Sequence, residues 1–401
     1  MEQFDIAIVG GGMAGATLAL ALAGQQQQGR RWRIALIEAH APHSEAHPGF
    51  DSRAIALAHG SVARYRDLGL WRALAPHAAP IHTIHVSDRG HWGQVKMTAA
   101  EQGVDALGQV VELERVGPVL HQALEQTDVV RFCPDALATL EQRPEVGRLT
   151  LESGARLSAR LVVAADGGPS LVRQQLKLPV TRSDYGQVAV ITNVELTRGG
   201  DIAYERFTDE GPLALLPMTE GRYSLVWVRH QEQAEALMNL EDEPFRQALQ
   251  RAFGYRLGEV TRVGKRFSYP LALQRIERPI HHRVALIGNA AQTLHPIAGQ
   301  GFNLGMRDAL TLADRLALAL EREEDPGSFA LLDDYAQGRK PDVDRTVGLT
   351  NSLVKLFSNN NFLLQVGRNL GLIAMDLFPS LGQEMVSHTM GQGSKRRSER
   401  W

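Results

Sequence analysis

The chain has 401 residues, which predicts either one large domain or two interleaved domains. Hydrophobic residues make up 44% of it and charged residues 22%, which is ordinary globular usage, and the net charge of -2 argues against a nucleic-acid partner held by bulk electrostatics. The only cysteine, Cys133, cannot form a disulfide within the chain and favours a reducing compartment. Because we find neither a secretory signal nor an uninterrupted run of about 18 apolar residues, we expect a cytoplasmic protein without a transmembrane helix.

The first predicted unit is a strand, a turn and a helix. An apolar strand covers Asp5 to Val9, and an Ala/Leu-rich helix runs from about Met13 to Ala23. A second strand covers Arg33 to Ile37 and ends in Glu38, at the spacing of the acidic residue that binds ribose hydroxyls in dinucleotide-binding βαβ units.

Three glycines in the turn support the same prediction. Gly10 permits the tight turn, Gly12 lets the backbone approach a pyrophosphate, and Gly15 allows close packing of helix on strand. The start of the helix adds partial positive charge. This motif predicts a bound dinucleotide but leaves open whether it is a flavin or a nicotinamide.

Two later strand ends repeat this arrangement. A strand over Leu161 to Ala165 ends at Asp166-Gly167, where the carboxylate is either a cofactor ligand or a helix N-cap. A third strand over Val284 to Ile287 ends at Gly288-Asn289. The three strand ends are expected to meet at the carboxyl edge of one sheet.

The middle and the end of the chain differ in pattern from these units. Alternating apolar and polar residues between about 181 and 270 predict an antiparallel sheet over the cofactor. Residues 363–377 predict an amphipathic helix, which packs on the core, on a membrane surface or on a partner protein. The basic segment GSKRRSER near the end of the sequence is expected to be disordered.

Taken together, these motifs resemble a known family. The glycine motif with Glu38, the Asp166-Gly167 pair and the stretch GNAAQTLHPIAGQGFNLG over 288–305 are similar to the class A flavoprotein aromatic hydroxylases. DSRAIAL over 51–57 and GPLALLP over 211–217 resemble the ubiquinone-biosynthesis hydroxylases among them. Most members carry Asp at the position of Asn289 and His at that of Gln292, and the spelling GNAAQTLHP is similar to the branch that hydroxylates 2-polyprenyl-6-methoxyphenol.

The resemblance implies an α/β fold like that of para-hydroxybenzoate hydroxylase. A Rossmann-type FAD domain would occupy residues 1–180 and 271–345, with an interleaved antiparallel-sheet substrate domain over 181–270. Residues 346–401 would form a C-terminal helical region and the basic tail. A further excursion into the substrate domain near 80–100 stays open.

The resemblance also implies a reaction. NAD(P)H would reduce FAD, O2 would add at the flavin C4a position, and the resulting hydroperoxide would hydroxylate a prenylated phenol of ubiquinone biosynthesis. Implied partners are a ubiquinone-biosynthesis protein complex and the inner face of the membrane, touched peripherally by the C-terminal helix; no metal is expected. The alternatives left open are a flavin oxidase or dehydrogenase that inserts no oxygen, and a non-catalytic prenyl-lipid carrier of related fold.

Site residues follow from the motifs and the resemblance. Backbone N-H groups of a helix starting near Gly301 to Asn303 would stabilise negative charge on the reduced flavin. His295 and Pro296 are the catalytic candidates, with orientation or proton transfer open for His295. The predicted cofactor-binding residues are Gly10, Gly12, Gly15, Glu38, Arg53, Gln109, Asp166, Gly288, Asn289, Gly299, Gly301, Phe302 and Asn303. The predicted substrate-pocket residues are Leu213, Leu215 and Pro217.

Overall fold

The computed structural model describes residues 1–26, 29–41, 53–90, 93–208, 210–295, 299–357 and 390–391. Within them the strands are β1 (Glu2–Val9), β2 (Ile34–Ile37), β3 (Ala54–Ala58), β4 (Ala78–Ile81), β5 (Thr83–Asp88), β6 (Gln94–Thr98), β7 (Gly108–Glu112), β8 (Val130–Phe132), β9 (Leu137–Gln142), β10 (Gly147–Leu151), β11 (Arg156–Ala164), β12 (Thr181–Leu196), β13 (Ile202–Phe207), β14 (Leu213–Pro217), β15 (Arg222–His230), β16 (Val260–Val263), β17 (Phe267–Arg275), β18 (Ile280–His281), β19 (Val284–Leu286) and β20 (Gln292–Thr293). The helices are α1 (Met13–Ala23), α2 (His59–Asp67), α3 (Trp71–Leu74), α4 (Leu113–Leu124), α5 (Leu171–Gln175), α6 (Gln231–Met238), α7 (Asp242–Phe253), α8 (Gln300–Glu321) and α9 (Phe329–Phe357).

The first sheet has a parallel centre. Its order is β18-β19-β11-β1-β2-β8, and β1 pairs in parallel with β11 and with β2. The predicted strand–turn–helix at the start is confirmed, and α1 has the predicted bounds of Met13–Ala23. Continuous apolar runs form these strands because α1, α4 and α8 cover the sheet and bury the strand side chains facing them.

The second sheet is mainly antiparallel. Its order is β20-β17-β12-β15-β14-β13-β5-β6, with β16 beside β12 and with β13 and β5 in parallel. Helices α6 and α7 cover one face, where Trp227, Phe245 and Phe253 are buried. The antiparallel sheet predicted between 181 and 270 is therefore present, interrupted by α6 and α7, and β5 and β6, at 83–98, join the same sheet.

A small third sheet, in the order β3-β7-β4, joins these two parts. It contacts α2, and Asn303 on α8 hydrogen-bonds to β3. Near it, the N-H of Gly60 donates to the carbonyl of Met390 over 2.8 Å, and the Met390 side chain is buried.

The end of the chain is described only in part. The predicted amphipathic segment 363–377 and the basic tail lie outside the described residues. Among the helices of the described ranges, none combines the length and the apolar character needed to cross a lipid bilayer.

Candidate active site

A cavity of about 1300 Å³ lies where the carboxyl ends of the first sheet meet the start of α8, strand β3 and one face of the second sheet. All but two of the predicted cofactor-binding residues line it, and so does His295. The lining members of that set are Gly10, Gly12, Glu38, Arg53, Asp166, Gly288, Asn289, Gly299, Gly301, Phe302 and Asn303. Residues far apart in the chain thus converge because parallel strands end at a common edge.

The glycine turn after β1 shows three different environments. Gly10 has φ +105°, and a Cβ there would overlap the carbonyl of Ala165. A Cβ at Gly15 would overlap the carbonyl oxygen of Gly10, so Gly15 serves the packing of α1 and does not line the cavity. A Cβ at Gly12 would meet no atom within 4 Å, so this position faces the open cavity.

Two side chains, those of Glu38 and His121, hydrogen-bond to the backbone of Gly11. The N-H of Gly11 donates to Oε2 of Glu38 over 2.6 Å, and Nε2 of His121 lies 3.1 Å from the carbonyl oxygen of Gly11. The other Glu38 oxygen accepts the N-H of His40 at 2.8 Å. These bonds fix the orientation of the loop beside Gly12. No sequence signal identified His121, because its partner is 110 residues away and its position on α4 reads as core.

Asp166 contacts the start of α5 through one oxygen, in line with the N-cap alternative, and a cofactor contact stays a prediction for the other oxygen. Its Oδ2 accepts the N-H of Val172 at 3.1 Å, while Ser170 caps α5 by accepting the N-H of Arg173 at 3.2 Å. The other oxygen, Oδ1, is buried and has no hydrogen-bond partner among the described residues. Burial raises the pKa of Asp166, so this oxygen requires a donor to compensate its desolvation.

The third loop is held tightly against α8. Gly288 has φ +58°, and a Cβ at Gly305 would lie 2.9 Å from the Cα of Gly288. The N-H of Gly288 donates to Oδ2 of Asp308 over 3.1 Å, and Nε2 of Gln292 donates to the same oxygen over 2.5 Å. The Asn289 side chain is exposed to the cavity.

Charged residues behind this loop form a buried network. Nε of Arg339 donates to Oδ1 of Asp308 over 2.8 Å, and its Nη1 donates to Oδ2 of Asp342 over 2.5 Å. Nε of Arg307 donates to the same Asp342 oxygen over 2.7 Å. The network therefore ties α8 and α9 to the loop that carries Gly288.

The start of α8 shows how the Asn303 side chain is used. Asn303 has no hydrogen-bonding capacity left in its side chain: Nδ2 donates to the carbonyls of Ala56 (2.8 Å) and Gly299 (2.9 Å), and Oδ1 accepts from the N-H of Ala58 and the hydroxyl of Ser61, both at 2.8 Å. Its amide ties β3 to α8, so only its backbone is available to a cofactor.

Arg53 and His295 lie on the cavity wall beside the second sheet. The Arg53 guanidinium lies 5.0 Å from the ring centroid of Tyr269, and the His295 ring lies 5.3 Å from that of Tyr185 in an edge-on geometry. Burial lowers the pKa of His295 to about 4, so its imidazole is neutral at physiological pH. Pro296 lies outside the described residues.

The substrate-pocket prediction for β14 is wrong about which face lines the cavity. Leu213 and Leu215 are fully buried in the cluster under α6 and α7, and the strand lines the cavity with Ala214 and Leu216 instead. Pro217 is also buried, and by the alternation of the strand it shares the face of Leu213 and Leu215. Apolar residues occupy both faces of this strand, so the alternation that normally marks the inner face is missing.

Gln109 is also placed differently from the prediction. It lies in β7, paired with Leu57 and Pro80, and α4 begins four residues later, at Leu113. Among the cavity-lining residues, β7 contributes Gly108 and not Gln109.

Comparison with known proteins identifies the family to which the chain belongs. Residues 3–350 match the family described as FAD binding domain. The chain is 37% identical to ubiquinone hydroxylase UbiL of Rhodospirillum rubrum, over 96% of this chain and 89% of that protein. The chain belongs to the FAD-dependent ubiquinone hydroxylase family. It is therefore a flavoprotein monooxygenase, as its motifs predicted.

Two further comparisons extend this result. The 3-demethoxyubiquinol 3-hydroxylase of Escherichia coli is 33% identical over 97% of this chain and 99% of that protein. The crystal structure of p-nitrophenol 4-monooxygenase PnpA from Pseudomonas putida DLL-E4 aligns with a TM-score of 0.79 at 20% identity, covering 97% of this chain and 99% of that one. This second likeness confirms the predicted fold.

The residues of the cavity fit FAD. Gly12 leaves open space at the start of α1 for a pyrophosphate, and the unpartnered oxygen of Asp166 fits a hydroxyl donor of the cofactor. The cavity is also larger than most small-molecule sites, which suits an extended dinucleotide together with a substrate.

His121 gives a first prediction for this site. Substitution His121→Leu removes the donor to Gly11, and we expect the FAD dissociation constant to rise by about 10-fold because one buried hydrogen bond that orients the loop is lost. His121→Gln, whose Nε2 can occupy the same place, is expected to bind FAD within about 3-fold of the wild type. Fluorescence titration of the apoprotein measures both. Equal weakening in the two variants would contradict a role for the bond.

His295 gives a second prediction, on pH. The unfolded chain binds a proton at His295 near pH 6.5, whereas the folded protein binds it only near pH 4. The free energy of unfolding of the apoprotein should therefore fall as the pH drops from about 6.5 to 4, by up to roughly 3 kcal/mol from this group. In His295→Gln that part of the loss should disappear.

Urea unfolding at pH 7, 5.5 and 4.5 measures the effect as the difference between variant and wild type. His77→Gln, at an exposed site, is the control and should keep the wild-type pH dependence. If the free energy of unfolding of His295→Gln depended on pH in the same way as that of the wild type, the fold would not be holding the imidazole neutral.

Proposed function

We propose that the protein hydroxylates a prenylated phenol of ubiquinone biosynthesis, 2-polyprenyl-6-methoxyphenol, with FAD, NAD(P)H and O2. The observation that carries this proposal is the apolar wall opposite the cofactor loops. It runs over seven neighbouring strands of the second sheet, from β17 to β6, which at strand spacing is about 29 Å. Members on successive strands include Leu271, Ile191, Val226, Leu216, Ala203, Ile84 and Met97. A wall of this length suits a phenol that carries a long apolar tail.

Roles for the site residues follow from their positions. The pyrophosphate would lie against Gly12 and the start of α1, and a ribose would lie at Glu38. A further hydroxyl of the cofactor would donate a hydrogen bond to Oδ1 of Asp166. The flavin ring would lie at Gly299 to Phe302, where backbone N-H groups at the start of α8 face it. His295 would orient the ring or the substrate as a neutral imidazole.

When bound, FAD supplies the redox and oxygen-activating chemistry. The chain supplies the dry surroundings: Leu294, Phe302, Leu216 and Met390 line the cavity with apolar surface, which limits water around the reacting ring. We keep the domain bounds expected from the sequence, with residues 1–180 and 271–345 around FAD and 181–270 around the substrate; the end of β17 and β20 pair within the second sheet. Because β5 and β6 pair within the second sheet, we assign 83–98 to the substrate domain as well.

The test uses FAD-loaded protein with NADPH or NADH, ¹⁸O2 and each of two substrates, a 2-polyprenyl-6-methoxyphenol and 3-demethoxyubiquinol. Mass spectrometry should show one ¹⁸O atom added to the methoxyphenol, and no product should form anaerobically. Product from 3-demethoxyubiquinol alone would move the substrate assignment to the one named for the Escherichia coli relative. NAD(P)H oxidation without labelled product from either substrate would instead indicate an oxidase.

The proposal includes a cytoplasmic location with peripheral membrane contact and a place in a ubiquinone-biosynthesis complex, since a long-tailed phenol resides in a bilayer. The segment 363–377 is the candidate for the contact. Flotation with anionic vesicles should recover the wild type but not Leu370→Asp. Equal flotation of both would reject this segment as the contact.

A further inference from the structure

Basic side chains gather where strands β5, β6 and β13 meet the end of α7. Lys96 lies on β6, Arg206 lies on β13, and Arg89 directly follows β5. Nε of Arg206 donates to the carbonyl of Ala252, the next-to-last residue of α7, over 3.2 Å, and Arg256 follows four residues later. We call Arg89, Lys96, Arg206 and Arg256 the basic corner.

The charges of the basic corner are close enough to act on one another. Burial, then the guanidinium groups of Arg256 and Arg89, lower the pKa of Arg206 to about 10, while the Asp88 carboxylate acts in the opposite direction. The positive charge therefore exceeds what this carboxylate compensates. On a chain whose net charge is -2, such an excess is a local feature of the surface.

Lys96 joins this group through His85. The two residues are cross-strand partners, and the charges of Arg256 and Lys96 add to the lowering of the His85 pKa that burial causes. The side chains of Arg89, Lys96 and Arg256 are exposed, and none of the three forms an ion pair with another described residue. Their charge is thus open to a partner that approaches from solvent.

Apolar surface lies next to these charges. The side chain of Tyr255, adjacent in sequence to the basic corner, is 69% exposed. On the same three strands, the cavity is lined at alternate positions by Val86, Val95 and Phe207. The N-H of Arg89 donates to the carbonyl of Phe207 over 2.9 Å. The far end of the wall proposed for the apolar tail therefore lies beside the basic corner.

We propose that the basic corner and Tyr255 form a docking surface for a bilayer of anionic phospholipids, which brings the far end of the apolar wall to the membrane. Each exposed Lys or Arg at an anionic bilayer contributes about a 5-fold factor in affinity, and a Tyr ring suits the headgroup level. Positive charge alone would suit an acidic protein equally, but the exposed ring and the adjacent apolar wall favour a bilayer.

This inference rests on the membrane contact within the proposed function. There, segment 363–377 would supply apolar surface, and the basic corner would supply the attraction to anionic lipid. The two contributions add, because membrane binding grows with buried apolar area and with charge attraction.

The test compares wild type and Arg89→Gln/Arg256→Gln, both full-length and FAD-loaded, by flotation with two kinds of vesicle. One kind is phosphatidylcholine with about one third phosphatidylglycerol, and the other is phosphatidylcholine alone. The variant should bind the anionic vesicles about 10-fold or more weakly than the wild type, because two contributing charges are lost. On phosphatidylcholine the two proteins should bind equally. Added salt should weaken the wild type more than the variant, because it screens exposed charges.

A matched variant separates position from net charge. Arg72→Gln/Arg148→Gln removes two exposed charges on α3 and β10 and should bind the anionic vesicles like the wild type. Wild-type FAD affinity and unfolding midpoint in Arg89→Gln/Arg256→Gln would show that the fold and the cofactor site are intact.

A label at the proposed surface reports the contact directly. A nitrobenzoxadiazole dye on Tyr255→Cys, in a Cys133→Ser background, should brighten on anionic vesicles as the side chain enters the headgroup region.

Three results would overturn the docking surface: equal binding of wild type and Arg89→Gln/Arg256→Gln to anionic vesicles, an equal loss in Arg72→Gln/Arg148→Gln, or unchanged emission of the label on vesicle-bound protein. The first would leave the basic corner to an acidic protein partner. A wild type that does not float with anionic vesicles would instead overturn the membrane contact of the proposed function, and this inference with it. That failure is recognisable because it needs no substitution to appear.

Discussion

Substitution Gly12→Val is expected to abolish FAD binding while leaving the apoprotein folded. A Cβ at Gly12 meets no atom within 4 Å, and the backbone there is extended, with φ -63° and ψ -175°, which valine adopts without strain. The added side chain would instead fill the space in which a pyrophosphate approaches the backbone. Because the pyrophosphate would then be held away from the backbone N-H groups at the start of α1, we expect FAD binding to weaken by more than about 100-fold.

Flavin fluorescence titration measures the affinity, and urea unfolding of the apoprotein measures the stability. Gly15→Val is the matched control, since a Cβ there overlaps the Gly10 carbonyl and the overpacking should cost about 3 kcal/mol or more of stability. Gly12→Val should thus lose FAD affinity but keep the stability of the wild-type apoprotein, whereas Gly15→Val should lose stability. Wild-type FAD affinity in Gly12→Val would mean that the cofactor does not approach this turn.

Locally encoded features were predictable from the sequence. The turn around Gly10 depends on neighbours within a few residues, because only glycine takes its φ of +105°, and the helix that follows has the predicted bounds. Strand ends with glycines at 166–167 and 288–289 also converge as predicted, since parallel strands share a carboxyl edge.

Other features depend on contacts between distant segments. The bonds from the Asn303 amide to Ala56 and Ala58 of β3, and the bond from His121 to Gly11, join residues more than 100 positions apart. The face of β14 could not be read because Leu213 and Leu216 are equally apolar. Periodicity predicts an element but not which of two apolar faces meets the cofactor.

The second large effect is expected at the buried network behind Gly288. Asp308 and Arg339 are almost fully buried, so Arg339→Leu would leave the Asp308 carboxylate without its guanidinium partner. Removing one member of a buried ion pair costs about 3–5 kcal/mol of stability. The double variant Asp308→Asn/Arg339→Leu should recover a large part of that loss because no uncompensated charge remains. Urea unfolding of the four proteins in the cycle gives the coupling free energy.

The exposed pair Arg64 and Asp314, with Nη2 of Arg64 3.0 Å from Oδ1 of Asp314, provides the comparison: Arg64→Leu should cost less than about 1 kcal/mol. If Arg339→Leu lowered the free energy of unfolding as little as Arg64→Leu does, a stabilising buried ion pair would be contradicted.

The network also reaches the cofactor site, because Asp308 accepts the N-H of Gly288 and the amide of Gln292. Asp308→Asn replaces a carboxylate by a weaker acceptor there, so the Gly288 loop should loosen and FAD affinity should fall along with stability, whereas Arg64→Leu should leave FAD affinity unchanged.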